Sequence, residues 1–258
     1  MLSVAGTKVL AICVLAAIGL SLTVYALMLL RRCPLTSVQS LLYGFNVLLS
    51  RGLWRARVSG PLPLRPDEGA VIVCNHRGPF DPSLVYLITN RVVHWMVAKE
   101  YCLHPALAWL FRTCECIPVS RGGIDTGATK AAIRYARNGG LVGLFPEGRL
   151  NTTEEVLLPG RPGAAMIALR ARVRVVPCYV SGSPYDDTLW HCLFMPAKAQ
   201  LKVGRPIDIS EFYGRENERE VLQHLTIRFL REIARLAGEP DFQPKLAGRF
   251  YKPGRAGP

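Results

Sequence analysis

The stretch that most constrains the fold of this chain is residues 71–82, which read V-I-V-C-N-H-R-G-P-F-D-P. The apolar, β-branched run at residues 71–73 favours a buried strand. The pair Gly78-Pro79 marks a turn, and Asp81 followed by Pro82 is typical of the first residues of a helix. A strand, a turn and a helix in this order are the unit of an α/β fold, in which helices cover a sheet.

The same stretch carries the first candidate for chemistry, because His76 and Asp81 stand five residues apart across its turn. An imidazole at a strand end with a carboxylate returning beside it provides an oriented general base. A second interpretation is a turn histidine with a capping aspartate, and these residues alone do not separate the two. Cys74 is a further candidate, as a nucleophile, although a cysteine at a strand end is more often a small buried side chain.

Strand and helix patterns alternate along the rest of the chain to about residue 236. Apolar runs predict strands at residues 94–98, 117–119, 141–145, 173–180 and 200–203. Helical patterns occur at residues 82–88, 106–111, 126–138, 163–171 and 216–236. We therefore predict an α/β fold with a central mixed β-sheet flanked by helices. Polar residues follow three of its strands, at 75–81, 121 and 147–149, and sites in open α/β sheets form at such strand ends.

Four segments resemble the motifs of the PlsC-type glycerolipid acyltransferases, a family that includes the 1-acylglycerol-3-phosphate acyltransferases. N-H-R-G-P-F-D at 75–81 matches the N-H-x-x-x-x-D motif of that family, and C-I-P-V-S-R at 116–121 is similar to its second motif. F-P-E-G-R at 145–149 and V-V-P-C-Y-V at 175–180 resemble the third and fourth motifs. All four occur in the family's order, within about residues 70–205.

The resemblance implies a role for each matching residue. His76 would be the base that activates a lysophospholipid hydroxyl, and Asp81 would fix its tautomer and stabilise the imidazolium. Arg121 would bind the phosphate of the acceptor, because a guanidinium fork suits phosphate oxygens. The residues implied to bind the acceptor are Asn75, Arg121, Glu147, Gly148 and Arg149. The acyl donor would be acyl-CoA or acyl-ACP (acyl carrier protein), and no cofactor or metal is implied.

One departure from the family's pattern concerns the acceptor. The third motif usually reads F-P-E-G-T-R, whereas Arg149 follows Gly148 directly here and Leu150 stands where that arginine would be. A similar F-P-E-G-R form occurs in acyltransferase domains that reacylate lysophospholipids with complete headgroups. Lysophosphatidate, which would give phosphatidate, is the expected acceptor, and a lysophospholipid with a full headgroup is the alternative.

Two other classes of function stay open at this stage. A non-catalytic lipid-binding protein would carry the same apolar and basic surfaces without turnover. A hydrolase would cleave the thioester without an acceptor, but the G-x-S-x-G elbow of the usual serine hydrolases is missing from the sequence.

The N-terminal region predicts attachment to a membrane. Residues 9–30 contain no charged side chain and are bounded by Lys8 and by Arg31-Arg32. As a helix they would reach roughly 33 Å, enough for a hydrocarbon core of about 30 Å. More positive charges follow this span than precede it, which favours a catalytic domain on the cytoplasmic side. We therefore predict a transmembrane anchor at residues 1–34.

Residues 35–60 form a second unit of the predicted organisation. Apolar side chains recur there at helical spacing, at Leu41, Leu42, Phe45, Leu48, Leu49 and Leu53. The segment is interpreted as an amphipathic helix at the bilayer interface, as the second helix of a membrane-buried pair, or as a domain helix packed on the core. The acyltransferase domain would then span residues 61–238, and the Pro/Gly-rich, basic residues 239–258 would form a flexible tail.

Charge and cysteine content narrow the list of partners. The formal net charge is +13 and the pI about 9.7, so anionic partners are expected. No signature of a nucleic-acid-binding fold is present, which leaves an acidic bilayer surface or phosphorylated substrates, with the bilayer as the better candidate. The resemblance implies a lysophospholipid and an acyl thioester as the substrates. The eight cysteines show neither a C-x-x-C pair nor zinc-ligand spacing, which favours reduced thiols in a cytosol-facing domain.

Overall fold

A seven-stranded sheet forms the centre of the computed structural model, which describes Val14 and residues 35–120, 125–185 and 191–248. The strands are β1 (Arg57–Val58), β2 (Ala70–Cys74), β3 (Val93–Ala98), β4 (Ile117–Val119), β5 (Leu141–Leu144), β6 (Arg174–Ser181) and β7 (Gln200–Val203). Their spatial order is β1-β7-β6-β2-β5-β3-β4. All neighbours are parallel except β6 and β7, which are antiparallel. The prediction of a mixed central sheet is confirmed.

Helices cover both faces of this sheet. They are α1 (Ser37–Gly52), α2 (Asp81–Val85), α3 (Lys99–Cys102), α4 (Ala108–Thr113), α5 (Thr126–Arg137), α6 (Gly163–Ala171) and α7 (Arg219–Ala237), with 3₁₀ turns at His191–Leu193 and Ser210–Phe212. Helices α5, α6 and α7 enclose one core with the sheet, while α2 and the end of α1 enclose the other. This flanking arrangement also agrees with the prediction.

Strand β2 lies near the middle of the sheet and is buried along its whole length. Val71 and Val73 face the core under α5–α7, whereas Ala70, Ile72 and Cys74 face the other core. Burial on both sides explains why this strand is a continuous apolar run rather than an alternating one. The carboxyl ends of β2 to β6 share one edge of the sheet because these strands are parallel. His76 and Asp81, which follow β2 in the chain, therefore lie near the centre of that edge.

Helix α1 has its polar side against the domain and its apolar side exposed. Asn46 Nδ2 donates to the Ser83 carbonyl at 2.9 Å, and Gln39 Nε2 donates to the Thr113 carbonyl at 2.8 Å. The exposed side carries Val38, Leu41, Phe45 and Leu48, which we call the α1 stripe. The interpretation of an ordinary helix packed on the core through these apolar residues is therefore wrong for the α1 stripe. Only Leu49 and Leu53 contact the core as that interpretation expects.

Two backbone pairings of the structure lie beyond the predicted bounds of the acyltransferase domain, residues 61–238. Strand β1 pairs with β7, so the sheet begins before residue 61. Residues 239–248, predicted as the start of a flexible tail, return to the domain, where Leu246 forms a β-bridge with Gly160. Gly160 donates to the Lys245 carbonyl and accepts from the Ala247 N–H, both at 2.9 Å. Pairing of this kind uses backbone groups, so a Pro/Gly-rich composition gives no sign of it.

The predicted membrane anchor at residues 1–34 lies outside the described residues, apart from Val14, and so does the end of the tail, 249–258. Among the helices that the structure describes, none combines the length and the apolar character needed to cross a bilayer.

Candidate active site

The structure brings His76 and Asp81 together at the carboxyl edge of the sheet. His76 lies two residues beyond β2, and Asp81 is the first residue of α2. The imidazole Nδ1 is 3.0 Å from Asp81 Oδ2. The carboxylate is completely buried, whereas the histidine side chain is 18% exposed. A buried orienting carboxylate and a partly open imidazole are what a general base with a fixed direction requires.

The Asp81 carboxylate is held by four donors. Its Oδ2 accepts the backbone N–H of Arg77 at 2.6 Å and that of Gly78 at 2.8 Å, in addition to His76. Its Oδ1 accepts the hydroxyl of Ser183. Because Oδ2 is an acceptor, we assign the imidazole proton to Nδ1, which leaves a lone pair on Nε2. Within the part of the chain that the structure describes, Nε2 has no hydrogen-bond partner, so it is available to a substrate hydroxyl.

Two aromatic rings fix the plane of the imidazole. The Phe145 ring stacks on His76 with 3.7 Å between centroids and 4° between planes. Trp95 stacks on the other side of Phe145, with centroids 4.9 Å apart. Gly143 makes room for this stack, since a Cβ on it would come within 2.6 Å of the Trp95 ring. The imidazole is therefore restrained by its hydrogen bond to Asp81 and by aromatic packing on its face.

Glu147 lies beside the base and is almost completely buried. Its Oε1 accepts the backbone N–H of His76 at 2.9 Å, and its Oε2 accepts that of Leu158 at 2.8 Å. Burial raises the pKa of this carboxyl group to about 7, against the lowering effect of the two hydrogen bonds. Both oxygens thus bind backbone groups, and the role of Glu147 in acceptor binding stays a prediction.

Gly148 and Arg149 form the exposed turn after β5. Gly148 has φ +71, in the left-handed region that favours glycine, and a Cβ there would lie 3.2 Å from the side chain of Arg161. The Arg149 guanidinium is exposed and, among the described residues, has neither an ion-pair nor a hydrogen-bond partner. Both residues are therefore accessible from solvent, and their predicted contact with the acceptor stays a prediction.

Asn75 has a different environment from the other residues predicted to bind the acceptor. It is completely buried, with Nδ2 donating to the Val180 carbonyl at 2.8 Å and Oδ1 accepting the Val180 N–H at 2.7 Å. These two bonds extend the pairing of β2 with β6 past its last residue pair, Cys74 and Cys178. The contacts are those of a structural link, and contact between Asn75 and an acceptor stays a prediction.

Arg121 lies outside the described residues, so its predicted contact with phosphate is not tested. The strand before it, β4, ends at Val119 and pairs in parallel with β3. The carboxyl end of β4 is therefore on the same edge as His76. Two strands lie between β4 and β2, which corresponds to about 14 Å across the sheet.

Cys74 is poorly suited to nucleophilic attack. Its thiol is completely buried, and burial raises its pKa well above the usual value. The reactive form of a cysteine is the thiolate, which this environment disfavours.

The sequence did not identify three residues that support the base, namely Ser183, Phe145 and Trp95. Ser183 follows β6 on the same edge of the sheet, in the run Ser181-Gly182-Ser183, and this position was the one available signal. Phe145 is the first residue of the F-P-E-G-R motif, but nothing in the sequence shows that its ring stacks on His76, and Trp95 is indistinguishable in sequence from an ordinary core aromatic. Together with His76 and Asp81 they form a site that can remove a proton from a hydroxyl as it attacks an acyl carbon.

Comparison with known proteins agrees with this chemistry. A family model described as "Acyltransferase" matches residues 55–181. The 1-acyl-sn-glycerol-3-phosphate acyltransferase of Bacillus subtilis is 29% identical over 150 residues, which are 58% of this chain and 72% of that protein. The enzyme of the same name from Streptococcus pneumoniae is 28% identical over 155 residues, 59% of this chain and 55% of that protein. The chain thus spans little more than half of the second relative.

A solved structure has the same fold. The crystal structure of the 1-acyl-sn-glycerophosphate (LPA) acyltransferase PlsC from Thermotoga maritima matches with a TM-score of 0.57 and 22% identity, over 75% of this chain and 80% of that one. At this identity the match supports the fold alone. The matching family model, the two bacterial relatives and the paired His76 and Asp81 agree with one another. The chain therefore belongs to the PlsC-type acyltransferase family and is an O-acyltransferase.

Proposed function

We propose that this protein transfers a fatty acyl group from an acyl thioester to the free hydroxyl of a lysophospholipid, with 1-acylglycerol-3-phosphate as the first candidate acceptor and phosphatidate as the product. The observation that carries the proposal is the contact of 3.0 Å between His76 and the buried Asp81, with Nε2 left open. The names of the two bacterial relatives support the choice of acceptor.

The proposed reaction follows from the position of the imidazole. A glycerol hydroxyl has a pKa far above neutral, so His76 Nε2 takes its proton as the oxygen attacks the thioester carbonyl. A C–O bond forms, the tetrahedral intermediate collapses, and the C–S bond breaks. The imidazolium then returns the proton to the leaving thiolate. Asp81 stabilises the imidazolium in between, because its carboxylate stays bonded to Nδ1.

The acceptor's phosphate would be bound by arginine. The Arg149 guanidinium is exposed in the turn that follows β5, the strand next to β2, and has no competing partner within the described part of the chain. Arg121, which follows β4 in the sequence, is the second candidate. A guanidinium pairs with two phosphate oxygens at once, so an acceptor without phosphate would leave both arginines without a role.

A chain of contacts joins the base to a cavity that suits an acyl chain. The aromatic stack on His76 ends at Trp95, whose backbone is hydrogen-bonded to Cys116, the residue before β4. Cys116 lines a cavity of about 430 Å³ under α3 and α4. Its other lining residues are Cys102, Leu103, Ala108, Phe111, Arg112 and Pro118. The mostly apolar lining supports a fatty acyl substrate over a short polar one.

The exposed apolar residues support a bilayer as the source of the lysophospholipid. In the α1 stripe, Leu41 is 75% and Leu48 is 73% exposed. Leu103 and Trp109 are exposed in the α3–α4 region, which α1 contacts through Gln39 and Thr113. An apolar surface of this kind is typical of a protein that lies on a membrane. We propose that this face contacts the bilayer, with residues 9–30 as the anchor and the domain on the cytoplasmic side.

The test is an assay of thiol release and of lipid product. Purified full-length protein with acyl-CoA and lysophosphatidate should release free thiol and form phosphatidate. His76→Ala should lower the rate by about 10²–10⁴-fold because the general base is lost. His224→Ala, an exposed histidine on α7, is the matched control and should keep the wild-type rate. Wild-type activity in folded His76→Ala protein would contradict the mechanism.

The same assay distinguishes the proposed acyl transfer from the other candidate functions. A non-catalytic lipid-binding protein would release no thiol, and a hydrolase would release thiol and free fatty acid without an acceptor. Faster turnover of a lysophospholipid with a full headgroup would favour the alternative acceptor, for which the short F-P-E-G-R motif is the supporting observation. Replacing acyl-CoA by acyl carrier protein in a parallel series identifies the donor.

A further inference from the structure

The side chain of Arg77 binds a backbone segment rather than an acidic group. This arginine directly follows the base, and its guanidinium donates to three carbonyl oxygens. Nη1 donates to Asn151 at 3.2 Å and to Thr153 at 2.6 Å, and Nη2 donates to Glu155 at 2.5 Å. We call residues 151–155 the clamped segment. The family resemblance gives no role to Arg77, which occupies one of the unspecified positions of N-H-x-x-x-x-D.

The clamped segment is also bonded directly to the base. The Asn151 N–H donates to the His76 carbonyl at 2.7 Å. Within the segment, Asn151 Nδ2 donates to the Glu155 carbonyl at 2.9 Å and Asn151 Oδ1 accepts the Thr153 N–H at 3.0 Å. The segment thus forms a closed turn whose position is fixed relative to His76 by a backbone bond and by the Arg77 side chain.

Arg77 is the side chain outside the turn that binds it. The other hydrogen bonds of the described turn run between its own residues, from Asn151 and Thr153, or join the Asn151 N–H to the His76 carbonyl. The turn contains no helix or strand, and residues 152–155 are exposed. A guanidinium has five N–H donors in a rigid fork, which allows one side chain to bind carbonyls from three residues of an irregular turn. Without the fork, these carbonyls would bind water and the exposed turn would gain conformational freedom. The contacts of Arg77 therefore order the surroundings of the base rather than the core.

The position of the clamped segment indicates which substrate it affects. It begins two residues after Arg149, the exposed cation that we propose for the acceptor's phosphate, and it touches His76 itself. We propose that Arg77 is a positioning residue that holds residues 151–155 as a wall of the lysophospholipid site. It thereby determines how the acceptor binds and how its hydroxyl meets His76 Nε2. This inference rests on the proposed function and deepens it.

The chain contains a matched control for this role. Arg91 also donates to three carbonyl oxygens, those of Arg65, Glu68 and Gly139. Gly139 precedes β5, so this second arginine lies near the opposite, amino edge of the sheet. Arg77→Met and Arg91→Met each remove a guanidinium that binds three carbonyl oxygens. The first of these guanidinium groups is beside His76 and the second is distant from it.

The experiment compares steady-state kinetics of these variants in the full-length protein. We expect Arg77→Met to raise the KM for the acceptor and to lower kcat/KM for the acceptor about 10²-fold, since misplacing a substrate by about 1 Å has an effect of that size. The KM for the thioester donor should stay within twofold of wild type. Arg91→Met should lower the Tm and leave both KM values unchanged. Arg77→Lys keeps the charge without the fork and should recover part of the loss.

Hydrogen exchange gives a readout that does not depend on turnover. The amides of residues 151–155 should exchange faster in Arg77→Met than in wild type or in Arg91→Met. Wild-type acceptor kinetics in Arg77→Met, or an equal loss in both arginine variants, would overturn the role of Arg77 and leave the proposed function intact. A wild-type protein that transfers no acyl group would overturn the proposed function, and the acceptor role of Arg77 with it.

Discussion

Glu147 shows how strongly one buried side chain can link this site to pH. Its carboxyl group accepts the backbone N–H of His76 and of Leu158, which favours the ionised form, but the cost of burying the charge is larger. The pKa is therefore raised to about 7. Near neutral pH the Glu147 carboxyl group, which binds the backbone N–H of His76, is therefore partly protonated and partly ionised.

This raised pKa predicts a pH dependence of stability. Between about pH 4.5 and pH 7 the folded chain keeps the Glu147 proton that the unfolded chain releases, so the free energy of unfolding falls as pH rises through this window. Because one pKa unit corresponds to about 1.36 kcal/mol, the contribution lost is roughly 3 kcal/mol. Urea unfolding of wild type and Glu147→Gln at pH 4 and pH 8 measures it. The difference between the two proteins should change by that amount, and a constant difference would contradict the raised pKa.

At the residue scale, the sequence predicted that His76 and Asp81 come together but not which residues hold them in place. His76 and Asp81 are joined across a five-residue turn, so their contact follows from local geometry. The partners of the same site are distant in sequence. Ser183 is 102 residues from Asp81, and Val180 is 105 residues from Asn75. Contacts of this kind depend on which strands are neighbours in the sheet. The sequence immediately around each residue does not show which strands these are.

At the element scale, helix α1 shows the limit of periodicity. The spacing of apolar residues predicted a helix, and the structure has one from Ser37 to Gly52. The spacing did not show which face meets the domain. Its polar residues Gln39 and Asn46 find carbonyl acceptors on the domain, and the apolar side stays exposed. An apolar stripe predicts burial in the protein core only when no other apolar environment, such as lipid, can cover it.

Replacing the centre of the α1 stripe should separate membrane binding from folding. We expect Leu41→Ser, Phe45→Ser and Leu48→Ser together to weaken binding to phospholipid vesicles at least about tenfold, because each buried apolar side chain contributes about 1.5–3 kcal/mol. The Tm should not fall, since these side chains are mainly exposed in the domain. Vesicle co-sedimentation and thermal unfolding measure the two effects.

The control for this variant lies on the other side of the same helix. Asn46→Ala removes the bond to the Ser83 carbonyl and should lower the Tm while vesicle binding is kept. Unchanged vesicle binding by the triple variant would show that the α1 stripe does not contact lipid.

At the scale of the whole molecule, the alternation of strands and helices predicted the architecture and the shared edge on which the site lies. It did not predict the strand order, in which β2 lies between β6 and β5. It also did not predict the return of residues 239–248 to Gly160. Strand order is a property of the packed sheet, and an isolated β-bridge has no side-chain pattern. Neither can therefore be predicted from local residue spacing.

The net charge of +13 is also a property of the whole molecule, and it predicts how membrane binding depends on salt. A basic side chain near an anionic bilayer contributes about 1 kcal/mol, and this attraction is screened as the Debye length falls from about 10 Å at 0.1 M salt to about 3 Å at 1 M. Binding to vesicles that contain anionic lipid should therefore weaken steeply between these concentrations. Binding to zwitterionic vesicles should be weaker at low salt and nearly constant, because contacts of the α1 stripe with lipid are apolar and are not screened.

Co-sedimentation across a salt series with both vesicle types measures the two contributions. Equal, salt-independent binding to both would mean that the positive charge acts on soluble anionic substrates rather than on the bilayer.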